Sequence, residues 1–465
     1  MGRSFFSMIS SWVQLAAAVL VAAAPPGVVA DDWPQWLGPI RDGVWRETGL
    51  LDKFPKGGPK VLWKTPIGTG YSGPAVAGSL LYVMDRERAK DASGKPLPGT
   101  KEGFIRGNER ILCINASDGK MVWKHEYDCP YKVSYPSGPR VTPLVQDGRV
   151  YTLGTMGDLL CLDAASGAIV WSKNLPKEYK VSTPPVWGYA GHLLLNGDLL
   201  YSLVGGPDSA VVALQKDTGK EAWKALTTEE IGYSPPMIYQ AGGKRQLIVW
   251  HSDSINGLDP LTGHVYWTHP YPAEGKPHRP TVNVVTVRRM GDLLFISSVF
   301  HGPLMLKLAA DRPAVTMLWE KPPKNPNKLE GLNSLVPSPV LKDGLIYGVG
   351  FDGGLVCLEA STGKQLWETY AANGGQKSDC GTAFLIPQAD RFVIFNDQGD
   401  LILAHLSAKG YQETDRAHII EPAQAARGRK VVWSHPAFAQ RCVFARNDKE
   451  LICVSMAAAG IAESN

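Results

Sequence analysis

Arg140, Trp187 and Tyr233 are the side chains of this sequence best suited to hold a flat anionic molecule. A guanidinium pairs with carboxylates, and aromatic rings stack on a planar face. Thr142, Tyr189 and Asn333 join them as candidates for the same binding surface, with Tyr71, Asn283, Ser334, Asp379 and Thr382 at comparable places in the chain. Other chemistry is thinly represented. The seven Cys residues form no CxxC, CxxCH or adjacent pair, so neither a zinc ribbon nor covalent haem is supported. The ten His residues show no HxxxH or HxH spacing, and no GxSxG nucleophile motif is present. The run from Asn396 to Asp400 has some of the character of a calcium loop but lacks its terminal Glu, and a hairpin turn explains it better. No metal site is expected.

These candidates must be positioned by short strands. The sequence holds 49 Gly and 35 Pro, which interrupt it too often for long helices. A unit recurs instead: Leu112 to Trp123, Leu160 to Trp171, Val212 to Trp223, Gly257 to Trp267 and Val356 to Trp367, with a degenerate copy from Leu304 to Trp319. In Leu160-Cys161-Leu162-Asp163-Ala164-Ala165-Ser166-Gly167 the apolar run reads as a strand. Asp163 can bond backbone N–H groups in the turn, and Gly167 can take positive φ. A second strand follows and ends in Trp171, completing a hairpin.

A second signal precedes each hairpin: Pro, a strand, a Gly or Asp turn and another strand. Starts fall near Pro74, Pro143, Pro184, Pro235, Pro280, Pro339, Gly381 and Pro436, giving eight units of about four strands. The expected fold is therefore all-β, an eight-bladed β-propeller of four-stranded antiparallel blades. Trp63, Trp123, Trp171, Trp223, Trp267, Trp319, Trp367 and Trp433 read as the closing tryptophans of eight blades. Trp63 precedes the first start, so a strand near Trp63 is expected to close the ring as the outer strand of the last blade. In a propeller the innermost strands line the axis, which places the candidate residues at a channel or its mouth.

The chain divides into a signal peptide (1–30), an aromatic segment packing on the propeller (31–60), the propeller (61–456) and a C-terminal tail (457–465). Arg3, the apolar run Leu15 to Ala24 and the small residues ending at Ala30 carry the export reading. No later stretch is apolar for long enough to cross a bilayer, so no transmembrane segment is expected after cleavage. A formal net charge of +4 is too mild to imply nucleic acid. Cys113, Cys161, Cys357 and Cys453 share one repeat position and read as buried thiols. Of Cys129, Cys380 and Cys442, one pair could bridge in an oxidising compartment. Two stretches, Asp85 to Arg110 and Ala404 to Lys430, read as insertions, and hence either as binding loops or lids or as solvated, variable loops.

The unit Leu-Asp-Ala-x-x-Gly-x-x-x-Trp resembles the repeat of the pyrroloquinoline quinone (PQQ) propellers, over nearly all of the chain after residue 30. That superfamily holds quinoprotein alcohol dehydrogenases and the non-catalytic outer-membrane assembly factor BamB. A narrower resemblance, carried by Asp32 to Gly43, Ser137 to Pro143 and Trp187 to Tyr189, is to a bacterial group of exported PQQ-like proteins familiar from planctomycetes. The resemblance implies two functions. One is a non-catalytic periplasmic or secreted scaffold, offering its loops and channel mouth to an envelope protein or a small ligand. The other is a PQQ- and calcium-dependent dehydrogenase of an alcohol or sugar, requiring converging carboxylate and amide ligands, an Arg and an aromatic floor at the channel.

Overall fold

The computed structural model describes residues 31–459, apart from 274, 276 and 324–328. The proposed signal peptide and the last six residues of the tail lie outside the described residues. Eight four-stranded antiparallel sheets form the blades, and a two-stranded hairpin, Gln424–Ala426 with Arg429–Val431, stands apart from them. Blade 1 runs outward from the axis as Ala75–Ala77, Leu80–Arg88, Gly107–Asn115 and Met121–Asp128. The inner strands of blades 2 to 8 begin at Leu144, Leu194, Met237, Arg288, Val340, Ala383 and Ala437. Blades 3 and 5 thus start several residues later than the prolines at 184 and 280 suggested. Both prolines lie in the loops that lead into those strands instead.

Val61–Pro66 pairs with Glu450–Ser455 as the outer strand of blade 8, with Trp63 opposite Cys453. Closure from the two ends of the chain leaves no inner sheet edge open. Buried Arg446 ties this seam, donating to the carbonyls of Met84 and Gly68.

The repeat motif explains how neighbouring blades hold together. Trp63 donates its indole N–H to the Ala116 carbonyl, in the turn between the two outer strands of blade 1. Trp123, Trp171, Trp223, Trp319 and Trp367 do the same to Ala164, Lys216, Pro260, Ala360 and Ser407 of the next blade. The ring lies on the turn glycine: a Cβ on Gly119, Gly167, Gly219 or Gly363 would come within 2.6–2.8 Å of it. Each turn glycine therefore serves both its positive φ and this close approach.

Two places break the pattern for physical reasons. The degenerate turn of blade 5 has no such glycine, and Trp267 instead swings over Gly257 and donates to Gln246 Oε1 of its own blade at 2.6 Å. Blade 7 needs no tryptophan, because blade 8 has no outer turn to receive one; its two outer strands come from opposite ends of the chain. Asp415 occupies the corresponding register position, opposite Leu403, and accepts the Phe54 backbone N–H at 2.6 Å. This corrects the expected eight closing tryptophans to seven. Trp433 is not one of them. The stretch from Ala404 to Lys430 is likewise no insertion, being mostly the outer strands of blade 7, Asp400–Ser407 and Gly410–His418, followed by the small hairpin.

The seven cysteines are all buried and none is in a disulfide, so the bridge considered among Cys129, Cys380 and Cys442 does not form. Those three fall in or beside blades 1, 7 and 8.

Candidate functional site

Residues 31–50 cross one face of the ring and close its axis. Trp33 pairs with Val76 of blade 1, and the Pro34 carbonyl accepts from Val145 of blade 2. Arg41 donates to the carbonyls of Leu193 and Pro236, and Arg288 to that of Asp42. Trp45 donates its backbone N–H to Pro387, and Glu47 accepts from Trp45 Nε1 and the Arg441 backbone. The segment thereby touches inner strands around most of the ring and drops Trp36 into the middle.

Trp36 is gripped by residues lying two positions before inner strands. Its ring stacks on His192 at 3.9 Å, meets His435 edge-on at 4.9 Å, and its N–H donates to Thr286 Oγ1 at 2.9 Å. His192 Nδ1 accepts the Thr142 backbone N–H at 3.0 Å, which places its proton on Nε2. His435 Nδ1 lies 2.5 Å from the Pro436 carbonyl, which can only accept, so here the proton sits on Nδ1 and Nε2 is bare. Burial pushes His435 down to about 4 and His192 well below its ordinary value, Arg41 and His435 adding to the latter, so both are neutral near pH 7.

Above this floor a cavity of about 570 Å³ opens along the axis. Its lower wall carries Ala190, Val282, Val284, Leu335, Val336 and Phe384; its mouth carries Tyr71, Tyr135, Trp187, Tyr233, Phe300, Phe351 and Trp433, with Arg140, His278, Asp379, Cys380 and Arg427. The small hairpin positions the mouth, with Arg427 at its turn and Trp433 just beyond it.

Of the residues expected at the axis, Arg140, Thr142, Trp187 and Tyr233 line this cavity, as do Tyr71 and Asp379. Trp187 and Tyr233 meet edge to face at 5.6 Å. Tyr189 and Asn333 do not line it. Tyr189 packs between blades 2 and 3 with its hydroxyl on the Val204 carbonyl, and Asn333 is buried against the Glu330 carbonyl. Asn283, Ser334 and Thr382 are buried behind the wall. Trp36, His192, His435 and Trp433 were not anticipated. His192 was hidden by the misplaced start of blade 3. His435 carried a usable signal, since it stands before its inner strand as Thr142 does in blade 2.

The donor set does not fit a PQQ–calcium centre. Arg140 donates to the carbonyls of Gly138, Ser134 and Tyr135 and lies over the Tyr71 ring at 5.0 Å, so its guanidinium braces a loop. Asp379 is the one carboxylate among the lining residues, and no group of three or more His, Cys, Asp or Glu is arranged for a metal ion among the described residues. Calcium takes six to eight oxygen ligands, which one carboxylate does not supply, and a trianionic quinone needs several cations, where only Arg427 at the rim joins the committed Arg140.

A second cluster has the look of nucleophilic machinery. Ser254 Oγ lies 3.1 Å from His251 Nε2, and His251 Nδ1 lies 3.7 Å from Asp253 Oδ2. The Asp253 backbone N–H points at Nδ1 from 3.2 Å, which puts the histidine proton on Nε2, facing the serine. A base needs a lone pair there, so this arrangement cannot activate Ser254.

The excursion in blade 1 continues the hairpin of Leu80–Arg88 and Gly107–Asn115. Its root is fixed by fully buried Glu109, which accepts from the Tyr127 and Tyr131 hydroxyls and from the Thr155 backbone N–H.

Eight such blades, six of them locked by a tryptophan on the neighbour's turn, define a PQQ-like β-propeller. The family model described as outer membrane protein assembly factor BamB matches residues 107–330 and 316–463, and the chain belongs to that family. BamB of Bordetella pertussis is 27% identical over 207 residues, 43% of this chain and 48% of that protein. BamB of Burkholderia pseudomallei is 27% identical over 213 residues, 44% and 50% of the two chains. The matched region thus spans about half the length of these curated relatives. The crystal structure of BamB from Moraxella catarrhalis shares the fold, with a TM-score of 0.57 and 13% identity over 85% of this chain and 99% of that one.

Proposed function

We propose that this protein is an exported, non-catalytic scaffold of the bacterial envelope, periplasmic or secreted, that offers its propeller loops to an envelope protein. Family membership supports the scaffold, and the observation that carries the non-catalytic reading is the axial site itself. Where a quinone and its metal would need clustered oxygen ligands, the cavity presents mostly apolar side chains and one carboxylate; of its two arginines, Arg140 is committed to carbonyls and Arg427 stands at the rim beside Cys380. The blade 1 excursion, residues 89–106, is a long loop inserted within a blade, between its second and third strands, and a fitting place for a partner to dock.

The test is a titration of the protein with PQQ, with and without calcium, followed by tryptophan fluorescence and by dye reduction with alcohols and sugars. The scaffold reading expects no saturable binding and no turnover. Calcium-dependent binding with turnover would overturn it.

A further inference from the structure

We propose that the axial cavity binds a small uncharged aromatic or branched aliphatic compound carrying one hydroxyl, seated with that hydroxyl on His192 and His435. This goes beyond the scaffold reading and does not rest on it, since a ligand can occupy the axis of the ring whatever its outer loops contact.

Size is the first argument. About 570 Å³ falls within the ordinary range of small-molecule sites, roughly 300–1,000 Å³. The second is the lower wall, where Val282, Val284, Leu335, Val336 and Phe384 offer nothing to an ion. A charge taken there would lose its hydration without replacement.

The third argument is the polar pair in the floor. His192 and His435 are only 8% and 7% exposed, and both line the cavity. Their Nδ1 atoms are engaged by the Thr142 backbone N–H and the Pro436 carbonyl. Neither Nε2 has a hydrogen-bond partner among the described residues. By the tautomers that these contacts impose, one Nε2 offers a proton and the other a lone pair. A hydroxyl is the smallest group that accepts from one and donates to the other. A carboxylate could use only the first, and both imidazoles are held neutral by burial.

The experiment is calorimetric titration of the protein with three compounds of nearly equal size: 4-butylphenol, butylbenzene and 4-butylbenzoate. One-site binding of the phenol is expected, roughly tenfold tighter than that of butylbenzene, the worth of about one good hydrogen bond. The benzoate should bind more weakly than either. Val284→Trp, which fills the cavity, should abolish phenol binding. His435→Phe should retain butylbenzene binding and erase the preference for the phenol, and it decides the matter if the tryptophan variant does not fold. Equal affinity for all three compounds, no phenol binding, or phenol binding that survives Val284→Trp in a folded protein would each overturn the proposal.

Discussion

Trp36 lies flat on His192, ring centroids 3.9 Å apart and planes 8° from parallel, and the pair seals one end of the propeller axis. The stack joins a segment that enters before the first blade to a residue of the third, so it fastens the crossing segment to the ring at its centre. Trp36→Ala should cost about 3–5 kcal/mol, the usual range for removing a buried tryptophan. Trp36→Phe should cost less, since it keeps the stack and loses chiefly the bond to Thr286, worth about 1 kcal/mol. Denaturant unfolding of the three proteins checks the order.

The seam between blades 8 and 1 gives a sharper comparison. Gly119 and Gly148 both have positive φ, +73° and +70°. A Cβ on Gly148 meets nothing within 4 Å, whereas one on Gly119 would come within 2.7 Å of the Trp63 ring. Gly148→Ala should therefore cost only the backbone penalty, about 1–2 kcal/mol. Gly119→Ala should cost at least about 1 kcal/mol more, from overpacking against a ring that cannot retreat. Equal losses for the two variants in urea unfolding would count against the docking of Trp63 on this turn.

The repeat made the blades legible from the sequence, because Asp163, Gly167 and Trp171 are each demanded by a local geometry that recurs. The same logic misled where a residue matched the pattern by coincidence. Trp433 completed an expected eight, while the true eighth position is Asp415, visible only once the ring closure removes the turn a tryptophan would need. The cavity was half legible. Arg140, Trp187 and Tyr233 were placed at the mouth by their distance from inner strands, but Trp36 reaches the axis through contacts with blades far away in the chain. No spacing rule encodes such a contact.

Asp415 yields its own test. Asp415→Ala should cost about 1–2 kcal/mol through loss of the bond from the Phe54 N–H. Asp415→Trp should restore none of it, since blade 8 presents no turn to dock on. By contrast, Trp319→Ala should cost about 3–5 kcal/mol, because its ring does lie on a neighbour's turn. Thermal and denaturant unfolding of the three variants measure this.

Acid should destabilise the ring through its buried imidazoles. Burial brings His435 and His251 down to about 4, while an unfolded histidine titrates near 6.5. Between those values the unfolded chain binds more protons than the folded one, so stability is fully present above the unfolded value and falls as pH drops toward 4. Glu47, Asp397 and Asp448, pushed up by burial, act in the opposite direction as pH falls. The difference between parent and His435→Gln isolates the histidine. The parent's unfolding free energy should fall more steeply than the variant's from pH 6.5 to 4.5, and parallel curves would show that His435 is not buried neutral.

The cysteines allow a count that no shift of conformation can imitate. All seven are buried and outside any disulfide. Burial pushes the Cys113 thiol up to about 12 and those of Cys161 and Cys357 to about 11. A thiol reacts as its thiolate, so at pH 8 these three are both shielded and protonated, and burial shields the others. The folded protein, prepared without reductant, should show no fast reaction with a thiol-specific disulfide reagent. In guanidinium, seven thiols should then react. Added reductant should leave the unfolding midpoint unchanged, because no loop is cross-linked. A count two short of this in guanidinium would reveal a bridge and reinstate the pairing that the positions of Cys129, Cys380 and Cys442 rule out.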